Sequence, residues 1–165
     1  MMGLKIHSSV NSVYPNDRRK MYPIYELCQE FAIPILFHTG TTGLGDCEVK
    51  YSKPEFLDEV CQSFPDLKLV MAHFGWPWSD VAIAIALRSP NVYLDVSGWK
   101  PRYLPPNVLP FLNGTLQDRF LFGTDYPMLR QEEWMDDFKS SLGPKLKPGV
   151  ADKLLKRNAQ RLLAV

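Results

Sequence analysis

Ile35-Leu36-Phe37-His38-Thr39-Gly40 is a short apolar run that stops on a histidine, a threonine and a glycine. The layout returns at Leu69-Val70-Met71-Ala72-His73-Phe74-Gly75. It returns again, with a carboxylate in the polar place, at Phe120-Leu121-Phe122-Gly123-Thr124-Asp125-Tyr126-Pro127. Apolar runs without polar alternation suit strands covered on both faces, as parallel strands flanked by helices are. Working outward from these three, two more runs of the same kind are Gly3–His7 and Val92–Val96. Five strands are therefore expected, at 3–7, 33–38, 67–73, 92–96 and 120–123.

Helical patterns fill the intervals. Met21, Ile24, Tyr25, Cys28 and Phe31 recur at helical spacing, with Asp17 placed to cap the start and Pro23 tolerable in a first turn. Leu57, Val60, Cys61 and Phe64 form a second apolar stripe, and Ser52 and Glu55 before it have the spacing of a capping box. Ser79 is expected to cap a third helix running through Ile83 and Leu87, while Pro110 breaks the segment from Pro105 to Leu116. Gln131–Phe138 and Val150–Leu163 supply two more helices. Strands alternating with helices predict right-handed βαβ units and a parallel sheet, either open and doubly wound or closed as a barrel. No GxGxxG or GxxxxGK[ST] loop follows a strand, so a nucleotide-binding sheet has little support. Residues 1–165 read as one α/β domain without linker or repeat.

Composition excludes some partners. Hydrophobic residues make up 45% and charged residues 22%, an ordinary globular balance. The net charge is +1 and no basic run exists to track phosphates, which argues against nucleic acid. The longest apolar stretches are too short to cross a bilayer, and the beginning of the chain lacks the layout of a secretion signal. Cys28, Cys47 and Cys61 form no CxxC pair. Cys28 and Cys61 fall on apolar helical faces as expected buried thiols, which fits a reducing, cytoplasmic compartment.

The polar strand ends carry the chemistry. In parallel α/β architectures the C-terminal ends of all strands open onto one face, so His38, His73 and Asp125 are expected to converge. Alternation places His38 on the face of Leu36, His73 on that of Met71 and Asp125 on that of Gly123. Imidazole and carboxylate are ligands for Zn²⁺ or a similar ion, which activates water near pH ~7. A histidine beside that water serves as general acid or base. Singly, each residue has a plainer reading: a hydrogen-bonding histidine at a strand end, or an aspartate capping a turn before proline. Three on one rim favour function. Lys5 and His7 share a strand face, with strand-end hydrogen bonding as their plainer reading. Trp76 and Trp78 follow His73 and either wall a pocket or pack over the mouth. Arg102 and Arg130 are candidate grips for a carboxylate, with exposed surface charge the simpler alternative. Asp95 reads as a hydrogen-bonding residue at the strand end.

The succession Lys5-Ile6-His7, His38-Thr39-Gly40, Ala72-His73-Phe74-Gly75, Asp95-Val96-Ser97-Gly98, Gly123-Thr124-Asp125-Tyr126-Pro127 and Asn158-Ala159-Gln160-Arg161-Leu162 resembles the amidohydrolase-related family over nearly the whole chain. The branch is that of aminocarboxymuconate semialdehyde decarboxylase. The resemblance implies a TIM-type (β/α) barrel of which this chain holds about strands four to eight. It implies a divalent metal, zinc or manganese, and a small carboxylated or cyclic substrate undergoing hydrolysis or non-oxidative decarboxylation. His38 would then be a metal ligand on strand five, and His73 on strand six the catalytic histidine. Asp125 on strand eight would be both the last ligand and a proton shuttle. The family's His-x-His pair has no counterpart in this sequence, and a complete barrel takes about 250 residues. The expectation is an incomplete barrel, as a fragment, a truncated product or a natural remnant. Its open sheet edges would favour homo-oligomers, and a non-catalytic half-barrel module is the alternative to an enzyme.

Overall fold

Five short parallel strands pair in the order in which they occur along the chain. The structure, a computed structural model, describes residues 2–163. The strands are β1 (Leu4–Ile6), β2 (Ile35–Phe37), β3 (Leu69–Met71), β4 (Val92–Asp95) and β5 (Phe120–Leu121). A doubly wound sheet reverses its strand order at a switch point, whereas a barrel runs on without reversal. The unbroken order is that of five consecutive (β/α) units of a TIM-type barrel.

Pairing register divides the side chains between two faces. Lys5 lies opposite Leu36, Leu36 opposite Val70, Val70 opposite Tyr93 and Asp95 opposite Leu121, so these share one face. The other face carries Ile35, Phe37, Leu69, Met71, Val92, Leu94 and Phe120, all buried in the main core. Helices cover that second face. After the short α1 (Ser8–Asn11), α2 (Tyr22–Glu30) contributes Tyr25 and Cys28, and α3 (Phe56–Ser63) contributes Leu57, Val60 and Cys61. Helix α4 (Ser79–Arg88) adds Ile83 and Ala86, α5 (Leu109–Leu112) adds Leu112, and α6 (Gln131–Ser140) adds Trp134 and Phe138. Cys28 and Cys61 are buried free thiols, as their helical spacing predicts.

The first face is covered differently. Helix α7 (Val150–Asp152) runs through a π turn at Lys153–Arg157 into α8 (Asn158–Leu163). Ala159 and Leu162 of α8 pack against a small second cluster of Val70, Tyr93 and Leu121. Asn158 is fully buried and its amide donates to the carbonyls of Gln117 (2.9 Å) and Phe120 (2.8 Å), which fastens α8 to the start of β5. The remainder of this face is an open, largely apolar cleft of about 450 Å³.

Several expected caps are placed otherwise. Ser52 and Glu55 form no capping box: Glu55 precedes α3 without a side-chain bond, and Ser52 closes a 3₁₀ turn at Val49–Ser52. The Ser52 hydroxyl instead donates to the buried Gly40 carbonyl (2.6 Å). Ser79 is the first helical residue of α4 rather than its cap. Asp17 accepts from the backbone of Arg19 and Lys20, closing a turn that ends before α2 begins. Pro23 stands in the first turn of α2 as expected, and Pro110 opens the short α5 rather than breaking it. Among the described residues no helix is long and apolar enough to cross a membrane.

Candidate active site

His38 follows β2 directly, on the face of Leu36, while Phe37 points into the helical core. Alternation thus holds at this strand. It fails at β3, where Met71 belongs to the core and Val70 to the cleft face, so His73 and Met71 do not share a face. The strand ends at Met71, and the chain turns through Ala72–Gly75 with His73 at φ 58° and Phe74 at φ 41°. Left-handed backbone in two bulky residues is uncommon and strained, and this turn delivers the His73 ring to the mouth of β2. Asp125 is likewise left-handed, at φ 59°.

The three side chains meet. His73 Nε2 lies 3.2 Å from His38 Nδ1 and 3.9 Å from Asp125 Oδ2. Both histidines are buried, whereas Asp125 reaches solvent. His7 joins them by stacking on His38, its ring 3.8 Å away and tilted by 8°. Burial, followed by the neighbouring His7, His73 and Lys5, pushes the His38 pKa down to about 3, so this imidazole is neutral near pH 7. Burial also lowers the pKa of His7, with Lys5 adding to the effect.

Hydrogen bonds fix the ring tautomers. His73 Nδ1 faces the Ser97 carbonyl at 3.1 Å, an acceptor only, and the Ser97 hydroxyl at 3.0 Å, whose own proton goes to Asp95, so in the neutral ring Nδ1 carries the proton and Nε2 is left as a lone pair. His38 Nε2 faces the Thr41 carbonyl at 3.2 Å, so that nitrogen is protonated and Nδ1 is the lone pair. Two imidazole lone pairs consequently point at each other across 3.2 Å. A cation held at His38 Nδ1 relieves this repulsion and leaves His73 Nε2 free beside it. The donor set, His38 Nδ1 and the Asp125 carboxylate, fits a divalent ion in type. It is part of a coordination shell: among the described residues no group of three or more His, Cys, Asp or Glu is arranged to hold a metal.

Asp95 and Ser97 hold this arrangement in place. Asp95 Oδ1 accepts from the backbone of His73 (3.0 Å), the backbone of Ser97 (2.8 Å) and the Ser97 hydroxyl (2.5 Å). Gly98, at φ 76°, lies under the ring, where a Cβ would come within 2.7 Å of His73 Nδ1. Across the mouth, the Thr39 hydroxyl donates to the Ala72 carbonyl (2.5 Å) and the Thr41 backbone to that of Trp76 (2.8 Å), latching the two histidine loops together. The cleft reaches this group through Asp95, Ser97 and Asp125.

Residues 1–165 match the family model described as amidohydrolase. The chain belongs to the amidohydrolase family. This amidohydrolase chain is similar to the uncharacterized TIM-barrel protein Bb4693 of Bordetella bronchiseptica, at 34% identity and a TM-score of 0.82. The likeness covers 97% of this chain and 57% of that one. It also shares the fold of 5-carboxyvanillate decarboxylase from Novosphingobium aromaticivorans, a structure complexed with manganese. There the TM-score is 0.73 at 16% identity, over 100% of this chain and 57% of that one. Among curated proteins it is 27% identical over 106 residues to protein fluG of Emericella nidulans, which covers 62% of this chain and 12% of that protein. The amidohydrolase chain thus spans just over half the length of the two barrels.

The weaker sequence candidates divide. Lys5 lines the cleft and His7 stacks in the site. Trp76 is half-exposed against Trp99, with ring centroids 4.8 Å apart, at the mouth and outside the cleft lining. Neither arginine faces the cleft: Arg102 is spent on buried Asp137, and Arg130 pairs with Glu133 at 3.3 Å. Sequence reasoning took Asp95 as a plain hydrogen-bonding residue and passed over Ser97 and Gly98. The run Asp95-Val96-Ser97-Gly98 at a strand end was the available signal.

Proposed function

We propose that this chain is the C-terminal part of a metal-dependent hydrolase acting on a small carboxylated or cyclic substrate. The observation that supports it is the pair of facing lone pairs on His38 Nδ1 and His73 Nε2, 3.2 Å apart, with the Asp125 carboxylate beside them. His38 and Asp125 would hold a divalent ion, zinc or manganese, together with ligands from outside the described residues. When bound, such an ion supplies Lewis acidity that polarises a carbonyl and acidifies water.

The chain's own residues do the rest. His73, with its Nδ1 proton committed to Ser97, accepts a proton at Nε2 and returns it to the leaving group. Asp125, exposed to the cleft and next to that nitrogen, passes the proton onward. The apolar walls of Leu36, Val70 and Leu121 orient the body of the substrate and limit water at the reacting end. Non-oxidative decarboxylation is the second reading, because His73 Nε2 is equally placed to deliver a proton to carbon, and one relative of the same fold is named for that reaction. The three unpaired thiols support a reducing, cytoplasmic setting. The free edges of β1 and β5 are the surfaces through which copies would associate.

Equilibrium dialysis against zinc tests the reading. The wild type is expected to retain the ion, and both His38→Ala and Asp125→Ala to lower its affinity at least about tenfold. Less than about a tenth of an ion per wild-type chain, unchanged by His38→Ala, would remove the metal from the account.

A further inference from the structure

His7 stands level with His38 across the sheet. The register pairs Lys5 with Leu36 and Ile6 with Phe37, and the His38 backbone donates to the Ile6 carbonyl at 2.8 Å. One further step puts the two histidines side by side, just past the ends of β1 and β2. Neighbouring strands run about 4.8 Å apart, and the two flat rings close what is left of that gap. Their centroids lie 3.8 Å apart with planes 8° from parallel, which is van der Waals contact over a whole ring face. Among the described residues the His7 ring makes one hydrogen bond, accepting at Nδ1 from the Val10 backbone (3.3 Å) in the turn that starts α1. Its own strand and turn therefore fix this ring, independently of the site it leans on.

What such a stack does follows from the shape of imidazole. The Nδ1 lone pair lies in the ring plane, so the plane decides where it is aimed. The hydrogen bond from His38 Nε2 to the Thr41 carbonyl (3.2 Å) holds one corner of that ring and leaves it free to tilt about the bond. The His73 ring meets His38 at 63°, with centroids 4.8 Å apart, and an edge contact of this kind does not set the plane. A parallel face does. We propose that His7 is a positioning residue, whose stacked ring holds the His38 imidazole in the plane that aims Nδ1 at the ion site. The assignment rests on the reading of His38 as a metal ligand. It gives His7 a task that requires a flat face and no bond from either of its nitrogens to the ion or to His73.

Two variants of the 165-residue chain separate the stack from the turn: His7→Gln keeps an acceptor for Val10 without a ring, and His7→Phe keeps a ring without an acceptor. Zinc affinity, read by equilibrium dialysis, should fall about tenfold in His7→Gln and stay within about twofold of the wild type in His7→Phe. The second measurement is made without metal, as NMR relaxation of the His38 Cε1–H bond. Its order parameter should drop in His7→Gln and return to the wild-type value in His7→Phe. Wild-type zinc affinity or an equally rigid His38 ring in His7→Gln overturns the assignment. So does a His7→Phe that binds zinc as weakly as His7→Gln, the result expected if a nitrogen of His7 were itself a ligand. A wild type that takes up no zinc contradicts the metal reading, and the relaxation comparison then decides the role of His7 by itself.

Discussion

Acidifying the metal-depleted protein from pH 7 to pH 4.5 is expected to weaken the fold by roughly 2–3 kcal/mol through His38 alone. Burial, then His7, His73 and Lys5, depress the folded-state pKa of His38 to about 3, against the ordinary 6.5 of a solvated ring in an unfolded chain. The unfolded chain therefore binds a proton below pH 6.5 that the folded chain refuses. The stabilisation is complete above pH 6.5, declines by about 1.4 kcal/mol per unit, and is exhausted near pH 3. His7 shifts in the same direction from a less buried position and adds a smaller part. Asp118, Asp137 and Glu59 are depressed carboxylates, whose contributions are lost only as the pH falls below their ordinary range. The window from pH 6.5 to 4.5 thus belongs to the histidines. Urea unfolding at both pH values measures the effect. The wild type should lose roughly 2–3 kcal/mol more than His38→Gln, which has no proton to take up. Equal losses would show that the ring is not held neutral by its surroundings.

Asp95→Ala should be the most damaging single change near the site, at about 3–5 kcal/mol. One buried carboxylate oxygen accepts three hydrogen bonds, from the backbone of His73, the backbone of Ser97 and the Ser97 hydroxyl. Removing it strands two backbone N–H groups, one of them on a residue at φ 58°. Without that bond the strained turn at 72–75 has less to hold it, and the His73 ring loses its approach to His38. Asp95→Asn keeps an oxygen in the same place and should cost only about 1–2 kcal/mol. Thermal or urea unfolding compares the two variants. A neutral outcome for Asp95→Ala would mean that the turn after β3 is held by packing alone.

The strands and the three meeting side chains were legible because both signals are strong and local. Apolar runs such as Leu69–Met71 are long enough to declare a buried parallel strand, and a histidine or aspartate at the end of such a run stands out against its neighbours. The direction of His73 was not legible. Alternation applies only while the chain stays extended, and here it stops at Met71, two residues too early. The supporting residues were hidden for a different reason. Asp95, Ser97 and Gly98 act through backbone hydrogen bonds and through the absence of a Cβ, and neither leaves a distinctive pattern in sequence. Ser52 illustrates the same limit: its spacing to Glu55 is that of a capping box, yet the carbonyl of Gly40 takes the hydroxyl. Local rules lose where tertiary contact offers a better partner.

The central claim is that His38 and His73 aim unprotonated nitrogens at one another beside Asp125, leaving a place for a cation. Long-range proton–nitrogen NMR of the imidazole rings at pH 7 tests it directly. The account predicts a proton on Nδ1 of His73 and on Nε2 of His38, with the other two nitrogens bare and the His38 Nδ1 resonance displaced when zinc is added. A proton found on His38 Nδ1 or on His73 Nε2 in the metal-free chain, or a His38 Nδ1 that zinc does not move, would contradict it.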